Sequence, residues 1–184
     1  MDAAAGGERF AELIGQAEQL EPRPQSLIAD SMWNLSGCLS KAGDHTRAIR
    51  ASENAIALSQ ELYGPTHIRV LEKRLTHADV VGSSGDPQMA ADLSGHLADE
   101  CADIIGESHL TTLETRRAAA RWTAAAGDHA GAARRYEALL ADLTGVLGDD
   151  HRLAREWREE FDRLKEHPGP SRGNESAGRA RPKS

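Results

Sequence analysis

Apolar residues return every three or four positions along most of the chain. Ile49, Ser52, Ile56, Ser59 and Tyr63 mark one such stripe, and Ala90, Leu93, Leu97, Cys101 and Ile104 another. Leu71, Leu75, Ala78 and Val81 form a third, and Leu113, Ala119, Ala120 and Thr123, with Trp122 beside them, a fourth. This is the spacing of α-helices that turn one face to a core. The stripes predict helices over about residues 8–20, 25–42, 45–63, 66–83, 87–105, 109–126, 129–147 and 150–166. Pro22 and Pro24 end the first of them, because proline cannot donate to a helical ladder. Glycine at the helix boundaries suits the left-handed backbone of a helix end, and the Asp, Thr or Ser that follows can cap the next helix.

The helices repeat as pairs. Gly43-Asp44-His45 recurs as Gly85-Asp86-Pro87 and Gly127-Asp128-His129, at an offset of 42 residues, each followed by an alanine at Ala48, Ala90 and Ala132. A second signature keeps the same step: YGPTHIRVLEKR from Tyr63, IGESHLTTLETR from Ile105 and LGDDHRLAREWR from Leu147. Two loop signatures held in register three times predict a repeat array in which each unit is an antiparallel helix pair. The units run over about residues 24–65, 66–107 and 108–149, with a half-unit at each end, in one repeat domain over about residues 1–167. The last helix, with its charged run REWREEFDRLKE, reads as a cap with one face in water.

Composition sharpens this picture. A chain of 184 residues with 3 Trp, 2 Tyr and 2 Phe cannot build a large aromatic or sheet core, whereas stacked helix pairs need mainly leucine, isoleucine and alanine. Residues 168–184, PGPSRGNESAGRARPKS, hold little to bury and are expected to be a disordered basic tail. The tail carries Arg172, Arg179, Arg181 and Lys183 against Glu175, so the overall −7 averages an acidic array with a basic end. A net negative charge argues against a general binder of nucleic-acid backbone. No apolar run is long enough for a membrane span, and the first residues lack a secretory signal, so a cytoplasmic location is expected.

Helix pairs with a Gly-Asp turn and an alanine four residues after the Asp resemble tetratricopeptide repeats. The first unit carries the resemblance best, through Leu35, Ser36, Leu39, Gly43, Asp44, Ala48, Ala55 and Ile56. Later units depart from the motif, with Arg74, His77 and Thr123 where apolar residues are usual. The longer unit and the pattern Ile105-Gly106, His109, Thr112-Leu113 are similar to the kinesin-light-chain-like branch of that family, found in bacterial and especially actinobacterial regulators. The resemblance implies an all-α, right-handed superhelical solenoid of about eight helices. It also implies a protein-interaction or adaptor module, regulatory in role, that binds a partner protein or peptide on the concave face of the first helices. Carried over by position, the candidate binding residues are Asp30, Trp33, Gly37 and Lys41, then Glu72, Leu75 and Asp79, then Glu114, Arg117 and Arg121. Asp30, Glu72 and Glu114 make an acidic row, Trp33 or Leu75 offers an apolar anchor, and Arg117 with Arg121 makes a basic spot.

Two other readings stay open: self-association into a homodimer through the Ala118-Ala119-Ala120 and Ala124-Ala125-Ala126 runs, or sensing of a small signalling peptide. Catalysis finds no foothold. His67, His109 and His151 recur one per unit, and successive units are offset by roughly 10 Å per helix layer, too far for one metal ion to collect all three. They are expected to cap first helices, with His45 and His129 as turn residues. Cys38 and Cys101 sit within apolar faces and are expected to be reduced packing residues. Asp149-Asp150 and Glu159-Glu160 lack convergent partners for acid–base work. Gly6-Gly7 and Gly82-Ser83-Ser84-Gly85 follow no strand and end in no Lys-Ser/Thr, so they are not phosphate loops. No enzyme, cofactor or metal is expected.

Overall fold

The computed structural model describes residues 3–20 and 23–166, so the expected basic tail lies outside the described residues. These residues form eight α-helices: α1 (Ala3–Ala17), α2 (Gln25–Lys41), α3 (His45–Tyr63), α4 (Ile68–Ser83), α5 (Pro87–Ile105), α6 (Leu110–Ala125), α7 (His129–Leu147) and α8 (Arg152–Glu166). Each packs on the next in chain order, giving an all-α stack of antiparallel pairs.

The boundaries follow from the two loop signatures. Asp44, Asp86 and Asp128 each accept a hydrogen bond from the backbone N–H three residues on, which satisfies one of the orphan donors at the starts of α3, α5 and α7. His67, His109 and His151 do the same for the first helices, each Nδ1 accepting at 3.2 Å from the N–H two residues on. The periodic histidines are therefore caps, as their placement after a loop glycine implies. Gly106 ends α5 at φ 92°, and its equivalents Gly64 and Gly148 end α3 and α7 at φ 85°. A side chain there would strain the turn that aims the next first helix.

One boundary differs from expectation. Helix α1 starts at Ala3 instead of about Glu8, so Gly6 and Gly7 lie inside it and are buried. Helix propensity argues against two adjacent glycines, but packing against α2 overrides it: a β-carbon on Gly6 would stand 3.2 Å from Cys38 Sγ, so its absence lets α1 sit this close without displacing that side chain. The helix also ends earlier, at Ala17, with Glu18 to Leu20 in a tightening turn whose N–H groups reach back to Ile14, Gln16 and Ala17.

The core is a row of small clusters between helix pairs. Leu39, Ala48, Ala51 and Val80 form one, and Leu71, Leu97 and Cys101 the next. The largest joins Leu113, Ala120, Tyr136, Leu139 and Leu143 to Ala154, Trp157 and Phe161 of α8. Alanines fill most close approaches. Ala118, Ala119, Ala120 and Ala124 are buried and pack neighbouring helices, while Ala125 is exposed and Ala126 half-buried. Cys101 is buried and Cys38 half-buried, both free, and burial pushes the Cys101 thiol above its ordinary pKa.

Candidate functional face

Helices α2 and α4, and α4 and α6, touch one another directly, whereas α3 and α5, or α5 and α7, share at most marginal contact. A stack whose first helices lie closer together than its second helices curves toward the first helices. The face lined by α2, α4 and α6 is therefore the concave one.

On that face, residues one period apart are joined from helix to helix. Asp30 of α2 takes Lys73 Nζ at 2.7 Å and Arg69 Nη1 at 3.1 Å, both from α4. Beside it, the Trp33 indole N–H donates to Thr76 Oγ1 at 2.7 Å, and the Lys73 ammonium lies 5.0 Å from the Trp33 ring centroid. Between α4 and α6, Asp79 Oδ1 accepts from both Arg121 Nη2, at 2.5 Å, and Trp122 Nε1, at 2.8 Å. Between α6 and α8, Arg117 Nε donates to Glu160 at 2.7 Å and its guanidinium lies 5.1 Å from the Trp157 ring. Glu160 also accepts from the Tyr136 hydroxyl at 2.9 Å. Burial and that carboxylate push the phenol well above its usual pKa.

The predicted residues thus divide by what they touch. Asp30, Trp33, Asp79, Arg117 and Arg121 hold successive first helices together. Trp33 is half-buried and its only donor is used. Lys41 lies exposed in the last turn of α2, away from these contacts. Glu72 and Glu114 are exposed, and among the described residues neither carboxylate forms a salt bridge. Leu75, Asp79, Glu114, Arg117, Ala118 and Arg121 line one open hollow of about 130 Å³ between α4 and α6. Five of the residues picked from the sequence therefore meet at one place. The Glu114 carboxyl titrates above the usual range: partial desolvation raises it, Arg117 lowers it, and the nearby Glu72 charge raises it again.

Sequence reasoning missed Lys73 and the pairing of Trp122 with Gly82. Lys73 is 3% exposed, and its equivalents Ser31, Thr115 and Trp157 are buried too, so the period marked the position as interior. Gly82 faces the Trp122 ring, where a β-carbon would come within 2.5 Å of it. It is a packing contact inside α4, not part of a flexible glycine loop.

On the opposite, convex side, α5 and α7 flank a larger groove of about 500 Å³ floored by Ala91, Gly95, Ala98 and Ala119. Arg116 in its wall is already neutralised by Asp142 at 3.0 Å. Among the described residues no cluster of His, Cys, Asp and Glu could hold a metal ion, and no helix is long and apolar enough to cross a membrane.

Paired helices, Gly-Asp turns and periodic caps define the class: an all-α repeat solenoid of tetratricopeptide type. Residues 27–97 match the tetratricopeptide repeat family. Among solved structures, the nearly identical tetratricopeptide-like repeats of a Podosopora anserina protein assigned as a kinesin light chain superpose with TM-score 0.70. That pair is 19% identical and covers 89% of this chain and 78% of the other. BtubC (BKLC) from P. vanneervenii superposes with TM-score 0.67 at 16% identity, over 100% of this chain and 82% of its own. At these identities the likeness is one of fold. No curated protein matches the chain.

Proposed function

We propose that this array is a regulatory adaptor of the kinesin-light-chain-like, 42-residue branch, and that it grips a segment of a partner protein in the concave hollow between α4 and α6. Tetratricopeptide repeats generally mediate protein–protein interaction, and the bacterial, cytoplasmic setting rests on the sequence resemblance. The observation that carries the binding reading is the hollow itself: an apolar floor at Leu75 and Ala118 beside the Glu114 carboxylate, with Glu72 near enough to raise its pKa and, among the described residues, no salt bridge to either. Partial desolvation is the main cause that raises the Glu114 carboxyl, and repulsion from the nearby Glu72 charge adds to it against the opposing Arg117. A lysine or arginine of the partner entering there removes the repulsion, while an adjacent apolar side chain fills the floor. Arg117 and Arg121 are held by Glu160 and Asp79, so the wall is already ordered before binding, which lowers the entropic cost of docking.

Photo-crosslinking tests the reading. A crosslinker at Leu75 should capture the partner in its native lysate, while one at exposed Asp99 on the convex side should not. Capture from Asp99 alone would contradict it.

A further inference from the structure

Neighbouring first helices meet on repeating register positions, and the α4–α6 junction leaves some of them without the cation found elsewhere. At the α2–α4 junction Asp30 is served from two sides. Lys73 Nζ reaches it from the buried side at 2.7 Å, and Arg69 Nη1 from the half-exposed rim at 3.1 Å. One period on, at the α4–α6 junction, the carboxylate recurs as Glu72, but both cations have become threonines, Thr111 for Arg69 and Thr115 for Lys73. Both threonines are buried, and Thr115 Oγ1 donates to the Thr112 carbonyl of its own helix instead of reaching across to α4. Among the described residues Glu72 forms no salt bridge.

The next row repeats the gap. Trp33 and Lys73, 40 residues apart, bring ring and ammonium together across the α2–α4 junction. Arg117 and Trp157 hold the same two positions across α6 and α8, with the roles exchanged. Between them, Leu75 and Thr115 supply neither ring nor charge. The hollow lies at this junction, and its volume of about 130 Å³ falls below the roughly 300–1,000 Å³ of small-molecule clefts. It suits a single side chain.

We infer that Thr111 and Thr115 determine what this face accepts: by withholding the cations that the chain gives to Asp30, they leave Glu72 as an open receptor for one basic side chain of the partner. That side chain seats on Glu72 from the rim, as Arg69 seats on Asp30. That the basic group arrives on a protein segment rests on the function proposed above, whereas the open carboxylate stands without it. Glu114, next on the same row, adds negative charge close to Glu72. The wall cations Arg117 and Arg121 are engaged by Glu160 and Asp79. An incoming cation therefore meets attraction at Glu72 with no resident partner to displace.

Carbon NMR of the side-chain carboxyls in the full chain tests the inference. The probe is N-acetyl-arginine amide and the control its neutral analogue N-acetyl-citrulline amide, each titrated to about 50 mM at constant ionic strength. The Glu72 resonance is expected to shift towards saturation with the arginine probe and little with citrulline, while Asp30, already filled, stays in place. Thr111→Arg supplies the missing cation from within and should abolish the Glu72 response. Should that variant lose its helical circular dichroism, Thr115→Lys restores the Lys73 position and makes the same test from the buried side. A Glu72 resonance that ignores the arginine probe, or moves no more than that of Asp30, would overturn the inference. So would a response that survives in either variant when folded. A Glu72 response without capture at Leu75 would keep the receptor and remove the protein segment as its occupant.

Discussion

Gly82 shows how much a single residue decides. The Trp122 ring lies where a β-carbon would stand, so Gly82→Ala must push the indole away and break its bond to Asp79. The expected loss is about 1–3 kcal/mol in urea unfolding. Gly95→Ala, a helical position with open space around it, should instead be neutral or stabilise by up to about 1 kcal/mol. The sequence does not tell the two apart, since both are glycines within helices and only the neighbour from another unit distinguishes them. Lys73 was legible in principle through its buried equivalents, but a lysine in a charged run reads as surface until its partners Asp30 and Trp33 are placed. His77 shows the same gap. Its Nδ1 lies 2.8 Å from Ser52 Oγ, and because the Ser52 proton goes to the Ile49 carbonyl, the histidine donates. Burial lowers its pKa below 6.5, with Glu53 opposing. The folded state thus resists a proton that the unfolded chain accepts, so this contribution is full above about pH 6.5 and fades as pH falls below it. Thermal melts from pH 7.5 to 5.5 should show a falling Tm, and His77→Gln should reduce that slope.

Helix ends and turns were almost wholly legible, because capping is local chemistry. The Asp of each Gly-Asp turn and the histidine of each longer loop accept the expected backbone bonds. Asp86→Ala removes the bond to the Met89 N–H and should cost about 1 kcal/mol in urea unfolding. His109→Ala should cost less, its 3.2 Å bond being the longer of the two; equal or greater loss would mean that the histidine does more than cap. The start of α1 was not legible. Two consecutive glycines look like a helix boundary, and nothing local reports that Cys38 of α2 packs tightly against the first of them.

For the whole molecule, the period fixed more than the fold. It placed the candidate residues on successive first helices, and the structure brings Leu75, Asp79, Glu114, Arg117 and Arg121 around one hollow. What it could not convey is that charges of opposite sign one period apart would satisfy each other, as Asp30 and Lys73, Asp79 and Arg121, or Arg117 and Glu160 do. Reversing Arg117 or Arg121 would therefore disturb the stack as well as the face. Glu72 and Glu114 are free of such duties, which makes them the clean probes. The most direct measurement is calorimetric titration of the captured partner into wild-type chain and into a Glu72→Lys, Glu114→Lys variant of unchanged stability. Affinity is expected to fall by about tenfold or more in the variant. Undiminished affinity, together with loss on Arg135→Glu in the convex groove, would contradict binding at the concave hollow.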